Sequence, residues 1–367
     1  MPTTAPGLKS FNSMDKFSFD RQDFQRHLTD LTAGMSSPPE PPPTYATNSE
    51  QKGLFTVRTA TRWMEEASAR PIPKMLFGEL WFESELCILF ADTNLGKSIL
   101  AVQIGSSISR GEAVPGFRLE ADRQKVLYFD FELSDKQFEA RYSVNYERHY
   151  AFSENFLRAE INPESTLPDE FNTFEDFLNY SLEKAITETG ARILIIDNLT
   201  YLKDETERAK DALPLMKHLK ALKSRYGLSI LALAHTPKRD LSKPLTRNDL
   251  SGSKMLINFC DSTFAIGESS QDKHLRYIKQ IKARATEIIY DSENICLCQI
   301  GKPGNFLQFE WVNYGTEREH LRQPTEQDAA SKIERVKELS QQGKSTRLIA
   351  AELGISAMTV SRYLKKV

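Results

Sequence analysis

Short apolar runs recur along this chain, and amphipathic stretches long enough for helices separate them. The strand-like runs are ELCILF (85–90), KVLYFDF (125–131), RILIID (192–197), SILALAH (229–235) and STFAI (262–266). Helical periodicity occupies residues 98–109, 136–149, 171–188, 211–226 and 254–259. Apolar strands interleaved with amphipathic helices predict a mainly parallel sheet covered on both faces. HLRYIKQIKAR (274–284) and NICLCQI (294–300) then predict a hairpin, with FLQFEWV (306–312) joining the edge. A short helix, TRWMEEASA (61–69), leads through Pro71 and Pro73 into the first core strand. No internal repeat is evident.

Both ends differ in character from this middle. Residues 1–50 are polar and weakly patterned, and near their end carry Pro38, Pro39, Pro41, Pro42 and Pro43. A proline cluster makes a stiff, extended spacer rather than a core, so the segment reads as a disordered tail. Beyond Leu321 the linker RQPTEQ leads into helix formers over 326–341, then Gly343, a second helix, Gly354 and a third helix. The expected organisation is a tail (1–50), an α/β domain (51–320) and a small all-α module (326–367).

Composition narrows the class. With 40% apolar and 27% charged residues the chain is that of a soluble globular protein. A net charge of −2 supplies no global basic field, so contact with nucleic acid must come from local patches. One such patch exists: residues 326–367 hold eight Lys/Arg against five Asp/Glu, a local +3. The four cysteines include no CxxC pair, and Cys296 and Cys298 would share one strand face, which suits buried thiols better than a metal site. No run approaches the roughly eighteen apolar residues of a membrane span, and the first twenty residues lack a secretory core. The expected location is the cytoplasm, with no membrane partner.

The strongest chemical signal lies where the first core strand meets its helix. Residues 87–98 read CILFADTNLGKS: a strand, a loop and the start of a helix. Phosphates need backbone N–H donors at a helix N-terminus, one long cation and a hydroxyl for magnesium. Ala91, Asp92, Thr93, Asn94, Leu95, Gly96, Lys97, Ser98 and Ile99 form the expected cradle. Lys97 can reach the β- and γ-phosphates, and Ser98 can ligate the metal. Ala91 stands where the pattern opens with glycine, which alanine tolerates only if φ stays negative.

Three further strands end in polar residues. RILIID ends in Asp197, where a carboxylate can bind magnesium through water. KVLYFDF runs into Glu132, which can polarise a water for attack on the γ-phosphate. Asp130 is its rival, on the same face by strand periodicity, but the position at the strand exit favours Glu132. SILALAH ends in His235, at the edge where open α/β sheets place their ligands, in a γ-phosphate-sensing role.

These four features in this order resemble the RecA-like ATPases, and most closely the RepA-type hexameric replicative helicases and their DnaB-like relatives, over residues 70–315. The resemblance implies ATP and Mg2+ as cofactors and sites lying between subunits of a homo-oligomer, a hexamer. It implies Lys97 and Ser98 in the P-loop, Glu132 as the water-activating glutamate, Asp197 in the second magnesium motif and His235 as the polar sensor. Leu250-Ser251-Gly252-Ser253 resembles the family's Gly-Ser turn beside the DNA-facing loop. Lys282 and Arg284 resemble the Lys-x-Arg pair that reaches into the neighbouring subunit's nucleotide.

The C-terminal module resembles a resolvase-type helix-turn-helix. Gly354 would provide the turn and Ser356 the N-cap of the third helix, over a seam of Ile349, Ala350, Leu353, Ile355, Val360 and Leu364. Ala357, Met358, Thr359, Ser361 and Arg362 would face DNA, with Lys365 and Lys366 on its backbone. The expected fold is therefore α/β, a RecA-like P-loop ATPase core plus a helix-turn-helix module. The expected job is ATP-driven work on DNA, as a replicative-helicase-like protein of a mobile element. The alternative is an ATP-switched DNA-binding regulator or loader that separates no strands. A P-loop small-molecule kinase is disfavoured, since nothing resembles an acceptor site or lid.

Overall fold

The computed structural model describes residues 55–162, 164–199, 212–237, 239–250, 253–323, 326–353 and 355–365. The proline-containing tail, Ser251 and Gly252 of the Gly-Ser turn, Gly354 and Lys366 lie outside them. The chain divides into two compact units, Met1–Arg70 and Pro71–Val367. The described part of the first contains one helix, α1 (Ala60–Ser68), capped by the Thr59 hydroxyl.

The second unit is organised by a nine-stranded sheet. Its parallel part comprises β3 (Leu86–Ala91), β4 (Val126–Asp130), β7 (Phe156–Ala159), β8 (Ile193–Asp197), β9 (Ser229–His235) and β10 (Ser262–Glu268). Two short strands, β1 (Met75–Phe77) and β2 (Trp81–Phe82), precede it, and a small hairpin, β5 (Ser143–Val144) and β6 (Arg148–His149), stands apart. The antiparallel strands β11 (Leu275–Lys282), β12 (Ile295–Gly301) and β13 (Gln308–Gly315) extend one side, giving the order β13-β12-β11-β10-β3-β9-β8-β4-β7. The expected hairpin and its edge strand are thus present.

Alternation along each strand sorts the core into two layers. Cys87, Leu89, Val126, Tyr128, Ile193, Ile195, Leu231 and Leu233 pack with α2 (Lys97–Arg110) on one face. Leu86, Ile88, Leu127, Leu194, Ile196, Ile230 and Ala232 pack on the other face with α4 (Phe174–Thr189) and α5 (Ala212–Tyr226). The chain leaves β3 through α2 and returns at β4, with two strands, β9 and β8, between them, so the sheet opens a crevice at the tip of β3. Open α/β sheets bind ligands in such a crevice.

Two local expectations need correction. The helix read over 136–149 ends early: α3 spans Asp135–Arg141, and β5 and β6 follow as a hairpin turned by Asn145 and Tyr146 at positive φ. Its aromatic residues serve a cluster of Phe138, Tyr142, Tyr150, Phe152 and Phe306, which overrides the helical pattern. Strand β7 carried no pattern of its own, because it is four residues, FLRA, paired only on one side.

After β13 come a short helix and the C-terminal helices. α6 (Ser253–Phe259) precedes β10, while α7 (Glu317–His320) follows β13. Glu317 is fully buried and accepts from Lys279 Nζ (2.5 Å), Leu245 N (2.7 Å), Ser292 Oγ (2.9 Å) and Tyr277 Oη (3.2 Å). A buried ion pair is tolerable when its remaining lone pairs are satisfied, as here. Three helices, α8 (Glu326–Gln341), α9 (Thr346–Leu353) and α10 (Ala357–Leu364), enclose a small core of Val336, Leu339, Ile349, Ala350 and Val360. Ser356 caps α10, its hydroxyl accepting from Thr359 N at 3.0 Å.

Candidate functional site

The loop between β3 and α2 has the geometry of an anion cradle. Ala91 is the last residue of β3 and is absent from the left-handed region, which holds Asn94 (φ 62°) and Gly96 (φ 93°). Alanine therefore fits its position without strain. Gly96 does not allow replacement: a Cβ there would lie 2.9 Å from both Ile300 Cδ1 and Phe309 Cε2. Positive φ and close packing against β12 and β13 each require glycine. Gln103, about two turns on, bonds both the amide (2.8 Å) and the carbonyl (2.9 Å) of Phe309, fixing α2 to the edge strand.

Lys97 opens the helix and is only 6% exposed. Its ammonium donates to Ala91 O (3.0 Å), Asp92 O (3.1 Å) and His235 Nδ1 (3.2 Å). Burial pulls its pKa down, while Asp197, Glu132 and Asp92 push the other way. Among the described residues no carboxylate is hydrogen-bonded to it, so its bonds are ones that phosphate oxygens can replace.

Parallel register brings the other expected residues to the same edge. Ala91 pairs with His235 across β3 and β9, and Asp130 pairs with Asp197 across β4 and β8. Asp197 is 0% exposed; Tyr128 donates to its Oδ2 at 2.7 Å, and its Oδ1 is buried without a hydrogen-bond partner. Burial raises its pKa to about 6, with the Ser98 and Tyr128 hydroxyls opposing. An orphaned buried carboxylate oxygen beside a P-loop hydroxyl fits a magnesium site. Among the described residues no group of three or more His, Cys, Asp or Glu could hold a metal alone.

The two rival carboxylates separate cleanly. β4 ends at Asp130, so strand periodicity does not carry to Glu132, and the two side chains do not share a face as expected. Asp130 is buried, receives Arg158 Nε at 2.9 Å and accepts the amides of Glu132 (3.2 Å) and Leu133 (3.0 Å). Glu132 turns instead towards the tips of β8 and β9. Its Oε1 meets Asn198 Nδ2 and His235 Nε2, the latter at 3.3 Å. The His235 bond, ahead of burial, holds the Glu132 carboxyl below its ordinary pKa. A deprotonated, partly exposed carboxylate is what a general base requires.

His235 thus stands between Lys97 and Glu132. An ammonium has only donors, so Nδ1 accepts from Lys97 and the proton of the neutral ring sits on Nε2, facing Glu132. Asn198, Thr236 and Tyr128 belong to this neighbourhood and were not singled out by the sequence. Thr236 is 8% exposed, its hydroxyl has no partner, and its amide donates to Ala91 O at 3.1 Å. A polar residue beside a strand-end Asp or His is a weak signal until the strands are placed side by side.

Lys282 and Arg284 lie apart, at the end of β11. Lys282 Nζ donates to Ile257 O (2.5 Å) and Cys260 O (2.6 Å), satisfying carbonyls at the end of α6. Arg284 pairs with Asp261 at 3.2 Å and stays about half exposed. In the C-terminal helices Ser361, Arg362 and Lys365 are exposed, and Thr359 is half-buried with its hydroxyl on Ser356 Oγ at 2.9 Å. All four cysteines are buried free thiols, as expected. Among the described residues no helix is long and apolar enough to cross a membrane.

The buried Asp197 gives a pH prediction. Its carboxyl ionises near 6 in the folded chain against about 3.9 in an unfolded one. The penalty is absent below the unfolded pKa and complete above the folded one. Asp197→Asn should therefore be more stable than the parent at pH 7.5 in EDTA, by on the order of 3 kcal/mol. Urea denaturation should show the gain shrinking as pH falls towards 4. A gain independent of pH would rule out the carboxyl as its source.

Comparison with known proteins bears on this site. No curated protein matches the chain. Among solved structures, the KaiC-like protein PH0186 from the hyperthermophilic archaeon Pyrococcus horikoshii OT3 aligns at 14% identity. The alignment covers 63% of this chain and 91% of that one with a TM-score of 0.43, too low a similarity to assign anything. The AAA domain family matches residues 55–240, just over half of the chain, and that span holds the P-loop, Glu132, Asp197 and His235. The chain belongs to the AAA domain family, and its mixed α/β sheet is that of a P-loop ATPase core.

Proposed function

We propose that this chain is a magnesium-dependent ATPase acting on DNA, a replicative-helicase-like motor whose subunits assemble into a ring. The observation that carries the hydrolytic part is the convergence of Lys97, Asp197, Glu132 and His235 at neighbouring strand tips. In this reading the amides of residues 92–98 cradle the phosphates, and Lys97 exchanges its backbone carbonyls for phosphate oxygens. Ser98 and Asp197 hold Mg2+, which when bound neutralises charge on the β- and γ-phosphates. Glu132 accepts the proton of the attacking water, and His235 senses the γ-phosphate.

Lys97→Ala should abolish ATP binding. Glu132→Gln should bind ATP with little loss yet hydrolyse it at least ~100-fold more slowly, as expected on losing a general base. Steady-state ATPase and equilibrium nucleotide binding check both. Turnover at the parental rate in Glu132→Gln, with Asp130→Asn dead, would mean the wrong carboxylate is named.

The DNA half of the proposal is supported by the exposed Ser361 and Arg362 of α10, by the exposed Lys365 that follows it, and by the local +3 of residues 326–367. In this reading the last three helices are a helix-turn-helix. Removing residues 326–367 should abolish duplex binding while basal ATPase survives, and affinity of the full chain should fall with salt as counterions are released. Duplex affinity unchanged by the truncation would sink the assignment.

A second reading, an ATP-switched regulator without strand separation, is favoured by one observation. The segment following His235 is tied to the C-terminal part of the chain: Arg322 N donates to Leu241 O (3.1 Å), and Lys332 in α8 pairs with Asp240 (2.9 Å). Such ties could report nucleotide state to the C-terminal helices without a motor. Strand displacement on a forked duplex separates the two readings.

Within a ring, Arg284 is the cation with reach, since Lys282 already serves two carbonyls of its own subunit. An arginine completing a neighbour's site can be worth ~10³-fold or more in turnover. Arg284→Ala should bind ATP but hydrolyse it poorly, and should regain activity when mixed with Lys97→Ala subunits. Full activity of Arg284→Ala alone, or no recovery despite co-assembly, would reduce the arginine to a surface residue.

A further inference from the structure

Asn198 follows Asp197 at the tip of β8, between the strands that deliver Glu132 and His235. It is 2% exposed, unusually deep for a side-chain amide at a strand exit. Its Nδ2 meets Glu132 Oε1 and lies 3.0 Å from His235 Nε2. The orientation of the amide follows from its partner: Glu132 is a carboxylate with acceptors only, so the NH2 and not the oxygen must face it. Lys97 on Nδ1 already places the imidazole proton on Nε2. Asn198 and His235 are thus two donors converging on one oxygen, and their close approach to each other is the consequence.

We propose that Asn198 is a positioning residue for hydrolysis, holding the Glu132 carboxylate in line across the strand tips. This deepens the ATPase reading above and rests on it. A glutamate in a bend beyond its strand has several staggered side-chain rotamers open to it. Two converging donors select one of them and leave Oε2 free for a water. His235 cannot do this alone, because its ring is shared with Lys97 and must respond when Lys97 takes up phosphate. Asn198 carries no charge and its amide meets Glu132 directly, so it keeps Glu132 fixed while the rest of the network rearranges. Only an amide suits the place: an aspartate would set a second carboxylate against Glu132, and a serine would be too short to reach it.

The inference predicts a loss confined to turnover. Asn198→Ser and Asn198→Asp in the full chain should bind Mg·ATP within about threefold of the parent but lose ~10²-fold in kcat, the scale set by misplacing a reacting group. The loss should vanish in a Glu132→Gln background, where there is no base left to position, giving strong non-additivity in the double-mutant cycle. Asn198→Ala serves as the third variant should one of these fail to fold. Parental kcat in the variants, an equal loss in the Glu132→Gln background, or a loss appearing in ATP affinity instead would each overturn it. The reading beneath it fails separately: a parent without ATPase, or Glu132→Gln as active as the parent, would show that first and remove both.

Discussion

A buried ammonium at the start of a helix is the constraint around which this fold is arranged. Lys97 loses hydration by burial and also sits at the positive end of the α2 dipole, so two effects oppose its charge. The chain offsets them without an ion pair. Two carbonyls of the preceding loop and the imidazole of His235 accept from it, and the carboxylates of Asp197, Glu132 and Asp92 act from further away. A direct salt bridge would be more stable but would hold the lysine against any ligand. Acceptors that are neutral and individually weak leave it exchangeable, and the strand registers on either side exist to put those acceptors in place.

The same loop depends on the antiparallel end of the sheet, far along the chain. Only glycine fits at position 96, because Phe309 and Ile300 approach to within contact of where a Cβ would be. Gln103 then closes the arrangement by bonding both backbone groups of Phe309, which would otherwise be an unpaired stretch of edge strand. Gly105 repeats the device against the parallel part, where a Cβ would lie 2.6 Å from Phe156. α2 is thus held from both sides by positions that admit no side chain. A shift of β12 and β13 would move the N-terminus of the helix and with it the phosphate cradle.

What could be read in the sequence was what is local. The five core strands announce themselves by apolar runs, and the P-loop by a spacing that needs no partner to be recognised. The residues beyond reach were those whose role is created by a neighbour distant in sequence. Along the chain only the position at the strand exit favours Glu132 over Asp130; the physical reason, Arg158 occupying Asp130, lies on a strand too short to be noticed. Lys282 reads as half of a Lys-x-Arg pair directed at a neighbouring subunit, yet the end of α6 lies beside it and takes its donors. Asn198 carries no signal at all until β4 and β9 flank it. The misread helix over 136–149 has the same origin, since an aromatic cluster with Phe306 overrode a plausible local pattern.

The segment after His235 shows how such long-range contacts limit motion. Leu245 is fixed at both backbone groups, its amide to Glu317 and its carbonyl to Lys279, and that ion pair is itself buried and further satisfied by Ser292 and Tyr277. Breaking one partner of such a pair typically costs about 3–5 kcal/mol, so Leu245 is a firm anchor. Any displacement beginning at His235 must then be absorbed by the few residues before Leu245. Two of those, Asp240 and Leu241, are the ones bonded to Lys332 and Arg322. The first is a partly exposed ion pair and the second a single backbone hydrogen bond, each worth about 1 kcal/mol, weak enough to be exchanged as the segment moves. With a firm anchor on one side and weaker contacts on the other, the bonds open to exchange are those with Arg322 and Lys332 rather than those with the sheet.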